Sequence, residues 1–394
     1  MALTAAIFWA AVAALAYTFV GYPAGIALLA RLRPRPVRRG RARPAVSVLI
    51  AAHDEARTIA ARIENCLALH YPPGRLEVVV ASDGSTDATV EIARRYERPA
   101  RPGPAVRVLA YPWRRGKPSV LNDSIPRCAG ELVVLGDARQ RWEPDVVRRL
   151  VENFADPDVG AASGELSLVN EAGAPVGEGV GAYWRYEKLI RRAESAVDST
   201  VGATGAIYAI RRHLFAPIAP DTLLDDVLIP LRIARRGFRV VFDGRARAWD
   251  QAAASAREEY TRKVRTIGGV VQLFAREGWL WLPTHRLWVQ AMSHKLLRVA
   301  APLLMLAALV TSAALAPAHG VYASALAAQV GLYGAAAVGA ALRGGRGRVA
   351  RLLGVPYAFC LLNFTTLVSV WYFATRRQTV QWRKAGDAVR RKAA

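Results

Sequence analysis

LEVVVASDGSTD, residues 76–87, decides how this chain folds. Val78, Val79 and Val80 form a short β-branched apolar run, and Asp83 closes it just before glycine and Ser-Thr-Asp turn chemistry. A continuous apolar run bounded in this way predicts a buried strand. Three neighbours share the pattern: AVSVLIAA (45–52), VRVLAY (106–111) and ELVVLGD (131–137). Helical stretches are expected between them, over Glu55 to Leu69, Asp87 to Tyr96, Ser119 to Cys128 and Pro144 to Phe154. Short apolar strands alternating with helices indicate βαβ units, hence an α/β fold with a mostly parallel sheet. Ligands bind beyond the carboxyl ends of such strands, where Asp83 and Asp137 fall.

The following region is less regular. It predicts a strand near 159–168, a long amphipathic helix from Gly181 to Val197, a segment TGAIYAIRR (204–212), a helix from Leu224 to Arg236 and a strand FRVVFDG (238–244). Apolar segments flank the whole. Leu3 to Ala30 is long enough to cross a bilayer and lacks the basic start of a signal peptide, so a retained helix is expected. From Trp279, GWLWLPTHRLW mixes Trp, His and Arg as membrane-surface segments do, and apolar runs follow at Leu296 to Leu315, Val321 to Leu342 and Leu352 to Phe373. The division expected is a span at 1–30, a basic linker at 31–44, an α/β domain at 45–278, an interfacial segment at 279–295, two or three spans over 296–375 and a basic tail at 376–394.

Across 394 residues the chain is 53% hydrophobic and carries a formal net charge of +23. A charge of that size raises nucleic-acid binding as a first possibility. Here, however, the basic runs RLRPRPVRRGRARP (31–44), RGGRGR (343–348) and the tail from Arg376 to Lys392 lie beside apolar segments, with no aromatic-interleaved patch. Runs so placed bind anionic headgroups and set orientation by the positive-inside rule. That rule puts the linker and the domain on the cytoplasmic side of the cell membrane. Three full spans after the domain would then carry the basic tail outside, so Leu352 to Phe373, which contains Pro356, Asn363, Thr365 and Thr366, is expected to lie in the interface or re-enter. The three cysteines, Cys66, Cys128 and Cys360, match no zinc or redox spacing.

Several polar residues suit chemistry on phosphates. An acid after a strand is often a cap or turn residue; Asp87 is well placed to cap the helix that follows, and Asp83, directly at the strand end, is better placed to face a ligand. Asp137 ends another strand and suits an oxygen ligand of a divalent ion that neutralises a departing diphosphate; a solvated turn carboxylate is the plain alternative. Lys117 and Asn122 in RRGKPSVLND suit a phosphate or base contact. Asp225 and Asp226 precede the helical pattern VLIPLRI, where acids favour the helix dipole. The same position suits a base that takes a proton from an acceptor hydroxyl, and Asp226 is the expected base. Arg262 and Arg265 lie three apart on one helical face, suited to clamping diphosphate oxygens or to a membrane surface.

Taken in order, these motifs resemble the membrane-embedded family-2 glycosyltransferases, the group of the cellulose, hyaluronan and poly-N-acetylglucosamine synthases. VSVLIAAHDEA is similar to the family's opening nucleotide-binding strand, with Asp54 and Glu55 at its Asn-Glu pair. VVVASDGSTD matches its first Asp at Asp83, and RGKPSVLN its Gly-Lys-x-x-x-Leu-Asn segment at Lys117 and Asn122. TGAIYAIRR, with Thr204 and Gly205, is similar to the acceptor-side segment, and TLLDD to the base motif. The resemblance implies a GT-A nucleotide-sugar-binding domain with helices on both faces of the sheet, flanked by transmembrane helices. It further implies an inverting mechanism, a nucleotide diphosphate-sugar donor, and Mg2+ or Mn2+. Two departures stand out. The Asp-x-Asp motif becomes Asp137-Ala138-Arg139, and the Gln-x-x-Arg-Trp motif of processive members becomes Arg262-Lys263-Val264-Arg265-Thr266.

The expected function is therefore transfer of a hexosyl or N-acetylhexosaminyl group from a nucleotide diphosphate-sugar to a polysaccharide or lipid acceptor at the bilayer. The rival, prompted by Arg139 and Thr266, is a non-catalytic membrane subunit with a degenerate transferase domain.

Overall fold

The structure, a computed structural model, describes residues 1–99, 103–169, 178–251, 256–342 and 347–375. The tail from Arg376 and most of RGGRGR lie outside them.

The expected strands form as β1 (Val46–Ala52), β2 (Leu76–Asp83), β3 (Ala105–Tyr111) and β4 (Leu132–Asp137). A short β5 (Arg141–Trp142) follows, then β6 (Val159–Val169), β7 (Tyr208–Arg211) and β8 (Arg239–Gln251). They build one sheet in the order β3-β2-β1-β4-β7-β6-β8-β5. β3, β2, β1 and β4 are parallel; β7 runs antiparallel to both β4 and β6. All eight residues of β2 are buried, as a strand covered on both faces requires.

Side chains alternate across that sheet. Val46, Val48 and Ile50 enter one core with Ile59 and Ile63 of helix α2 (Ile59–Leu67) and Val147 and Leu150 of α5 (Val146–Glu152). Leu49, Val79 and Leu135 enter the opposite core with Val120 and Leu121 of α4 (Lys117–Ser124) and Leu228 and Leu231 of α7 (Asp225–Arg235). Between them in sequence lie α3 (Thr89–Arg94) and the long α6 (Glu178–Val197). The arginine-bearing α8 (Ala256–Arg276) follows β8.

Among the described residues, four helices are long and apolar enough to cross a membrane: α1 (Ala2–Leu32), α9 (Trp288–Leu315), α10 (Gly320–Ala341) and α11 (Arg348–Ala374). The segment expected to lie in the interface or re-enter is one unbroken helix, α11. Four of its polar side chains bond back within it: Asn363 donates to the Phe359 carbonyl, Thr365 to Leu361, Thr366 to Leu362 and Ser369 to Thr365. Back-bonding of this kind removes the reason for a polar side chain to seek water. Ahead of α9, Trp281 and Leu282 are exposed, as a membrane-surface segment would have them.

The basic linker differs from expectation. Arg35 pairs with Asp158 and Asp198, and Arg38 with Asp156, so part of its charge is engaged by the domain. The buried Arg239 donates to the carbonyls of Arg35, Ser195 and Asp198, which fixes where the chain leaves α1 and enters the sheet.

Candidate functional site

β2 and β4 flank β1 in parallel, so the carboxyl ends of the three strands lie side by side. Asp83 is 6% exposed and accepts hydrogen bonds from the amides of Arg115 (2.7 Å) and Gly116 (2.8 Å). It thereby holds the loop that starts α4. Gly84 makes the approach feasible: its φ is +60°, and a Cβ there would lie 2.4 Å from the Trp113 carbonyl carbon. Asp87, expected to cap the next helix, lies one residue ahead of its N-cap, Ala88, and accepts from the Thr89 amide at 3.0 Å. Glu55 is buried beside that turn, its carboxylate accepting from the Thr58 hydroxyl at 2.9 Å.

That loop delivers Lys117 to the end of β4. Its ammonium donates to Asp137 Oδ1 at 2.8 Å and lies 3.5 Å from Asp225 Oδ2. Burial draws its proton affinity down, but Asp137 and Asp225 raise it overall. Burial also works against ionisation of Asp137, yet Lys117, then Arg139 and Arg265, hold that carboxyl below its ordinary value. Arg139 itself is exposed.

Asp225 and Asp226 form the first turn of α7, where the helix dipole favours acids. Asp226 Oδ2 accepts the Gly205 amide at 3.0 Å, and the Asp226 carbonyl accepts the Ala203 amide at 2.8 Å. The TGA segment is thus moulded on this acid, with Thr204 one residue away. Burial, followed by the neighbouring Asp225 charge, pushes the Asp226 carboxyl up to about 6, with Lys117 and Arg191 opposing. A carboxyl so poised titrates near the range in which a general base works.

Of the two arginines on α8, Arg265 reaches this centre: burial lowers its proton affinity, while Asp225, Asp226 and Asp137 oppose that. Arg262 acts on Asp250 instead. Asn122 departs from its expected nucleotide contact. Its amide donates to the Ile218 carbonyl at 2.7 Å and its oxygen accepts the Ile218 amide at 2.9 Å, a two-point clamp between α4 and the loop before α7.

Residues not singled out by sequence complete the site. Gln140 accepts from the Asp137 amide at 2.9 Å and donates to Asp250 at 3.2 Å, placing the end of β8 beside Asp137. Burial, with Asp137 close by, pushes the Asp250 carboxyl up. Arg191 of α6 donates to the Thr204 hydroxyl at 2.8 Å. Tyr208 is fully buried, and burial together with Asp225, Asp226 and Asp137 raises its phenol far above its ordinary value.

Among the described residues no three His, Cys, Asp or Glu side chains converge as a protein-only metal cage. The donor set does fit an ion shared with a diphosphate, since Mg2+ commonly takes only one or two protein carboxylates beside substrate phosphates. Asp137 could supply that carboxylate, with Asp250 across Gln140.

Residues 44–269 match the family described as glycosyltransferase like family 2. The chain belongs to this family. Among curated relatives, family resemblance extends to a poly-beta-1,6-N-acetyl-D-glucosamine synthase of Staphylococcus epidermidis, 21% identical over 246 residues, covering 61% of this chain and 58% of that protein. A probable glycosyltransferase of Bacillus subtilis (strain 168), YdaM, is 25% identical over 242 residues, covering 57% of this chain and 55% of that one. The chain thus spans less than two thirds of the length of these relatives. Among solved structures, the mannosyltransferase PcManGT from Pyrobaculum calidifontis, solved with GDP-Man and Mn2+, superposes with a TM-score of 0.71 at 24% identity. That match covers 94% of this chain and 100% of the other, so the family-2 domain and its flanking helices share one architecture.

Proposed function

We propose that this protein is an inverting glycosyltransferase of the cell membrane, moving a sugar from a nucleotide diphosphate-sugar to a polysaccharide or lipid acceptor. Its catalytic domain faces the cytoplasm. The observation that carries this reading is Asp226, a partly buried acid pushed up to about 6, held against the TGA segment and within reach of the Lys117–Asp137–Asp225 charges.

In this mechanism the acceptor hydroxyl lies against Asp226, which takes its proton as the oxygen attacks the anomeric carbon. The carbon–oxygen bond to the diphosphate breaks on the opposite face, and the nucleoside diphosphate departs with that electron pair. Lys117 and Arg265 present positive charge to the leaving phosphates, a contribution largest where charge develops. Asp83 and Glu55 shape the nucleotide end of the cleft, Arg262 assists at its β8 edge, and Thr204 and Gly205 border the acceptor. Mg2+ or Mn2+, when bound by Asp137 and the diphosphate, supplies further charge neutralisation. The assembled base and cation favour this reading over the non-catalytic one prompted by Arg139 and Thr266.

The test is to incubate the membrane-inserted protein with a panel of nucleotide sugars and to measure nucleoside diphosphate release and product size. Failure of every nucleotide sugar on the panel to yield nucleoside diphosphate would overturn the reading. Because Asp226 works ionised and its carboxyl is pushed up to about 6, the rate is expected to fall as pH drops through about 6 and to level off above it. A pH-rate profile that is flat between about 5 and 7 would remove Asp226 from the role.

Gly205→Ala tests the fit of the TGA segment. A Cβ there would lie 2.8 Å from Asp226 Oδ2, so the base must shift. Misplacement on the order of 1 Å costs about 10²-fold in rate. The expected result is a loss of that order in kcat with nucleoside diphosphate affinity retained, read by initial rates and calorimetry.

A further inference from the structure

Where the catalytic domain meets the spans, a second group of charged side chains is buried. His294 of α9 is 1% exposed, and its ring bridges two carboxylates of α6: Nδ1 lies 2.8 Å from Glu194 Oε1 and Nε2 2.9 Å from Glu187 Oε1. Each ring nitrogen thus has its own acid of α6 as partner. Tyr22 of α1 donates to Glu194 at 2.6 Å, and Arg298 of α9 to Glu187 at 2.7 Å. Lys295 adjoins the same carboxylates. Both spans turn as π-helix here, over Tyr17–Gly21 and Ala291–Leu296, and Tyr17 meets Ser293 at 2.8 Å across the two turns. Such insertions recur at functional positions.

The cluster continues towards the cleft. Glu187 Oε1 also accepts from Arg191 Nε at 3.4 Å, Arg191 Nη1 donates to Thr204 at 2.8 Å, and the next amide, Gly205, donates to Asp226 at 3.0 Å. We propose that His294 is a positioning residue for Asp226, acting through Glu187, Arg191 and Thr204, so that the seating of the spans sets the base. This rests on the proposed transferase reading. By sharing Glu187 with Arg191, the ring keeps the guanidinium turned towards Thr204 rather than folded back on its own helix. The positive charge of Arg191 then stays close enough to oppose the rise in the Asp226 carboxyl caused by burial and by Asp225. Hydrogen-bonded networks in a low-dielectric interior transmit such a shift because each member is oriented by the next.

Two near-isosteres separate positioning from simple anchoring. His294→Asn retains a donor near the Nδ1 position, facing Glu194, and loses the one facing Glu187; His294→Gln does the converse. With the full chain in lipid nanodiscs, His294→Asn is expected to lower kcat about tenfold and leave the donor KM unchanged. Its pH-rate inflection should move upward, and amide hydrogen exchange over 203–205 should quicken. His294→Gln should change each of these much less. Equal behaviour of the two variants, or an unshifted inflection and exchange in His294→Asn, overturns the proposal. Should His294→Asn not fold, Glu187→Gln must move the inflection and exchange while Glu194→Gln, on the far side of the ring, must not; the reverse result also overturns it. If the wild-type protein transfers no sugar, the transferase reading fails, and exchange at 203–205 still decides the role of His294.

Discussion

Asp226→Asn is expected to abolish sugar transfer while leaving nucleoside diphosphate binding within about threefold of wild type, since the amide cannot take a proton. Removing a general base costs about 10²- to 10⁴-fold. The substitution is close to isosteric, and the Asn carbonyl can still accept the Gly205 amide now bonded to Asp226 at 3.0 Å. Asn also relieves the buried like charge beside Asp225, so thermal stability should hold or rise. Donor turnover and calorimetric titration on one preparation check both halves. An unimpaired transfer rate would sink the assignment of the base. A parallel collapse of nucleotide binding would instead show that the acid shapes the donor pocket.

Lys117→Met is expected to have the second large effect, on binding and on folding together. The ammonium sits between Asp137 and Asp225, at 2.8 Å and 3.5 Å, with both side chains less than a fifth exposed. Removing one partner of a buried pair costs about 3–5 kcal/mol, because the remaining charges are left uncompensated. The penalty carries a pH signature. In the wild-type protein Lys117 helps to hold the Asp137 carboxyl below its ordinary value, which contributes stability present above the unfolded carboxyl range and lost as pH falls through the folded value. The difference in unfolding midpoint between variant and wild type should therefore be largest near neutral pH and shrink in acid. Nucleoside diphosphate affinity should fall at least tenfold, since a cation facing the phosphates is gone. A constant midpoint difference across pH would show that Met acts by its shape alone.

How far the site was legible depends on how each residue reaches it. Asp83 and Asp137 were visible because each ends a β-branched run, and period-2 alternation across a parallel sheet leaves such runs nearly continuous. Asp226 was visible as an acid opening a helix. Asp250 was not. The expected strand stopped at Gly244, where Asp243 and Gly244 break the apolar run, whereas β8 continues to Gln251 past a register shift opposite Ser163 and Glu165. Asn122 shows the opposite failure: a residue in a recognisable motif whose two polar ends are both taken by the backbone of Ile218, 96 positions away. Arg191 lay on a helix whose amphipathic pattern told which face is buried and not what that face meets.

The chain's own order of residues determined the α/β alternation, the family-2 signature, the long apolar helices and the strand-terminal acids, because all of these are local patterns with fixed periods. Only the tertiary structure decided which charges share the cleft. It set Lys117 between Asp137 and Asp225, pressed Gly205 onto Asp226, brought Asp250 to Asp137 through Gln140, and gave Asp83 the task of holding a loop. Electrostatic partners are chosen by distance in space, over separations that no sequence period records, and their burial sets how strongly each acts.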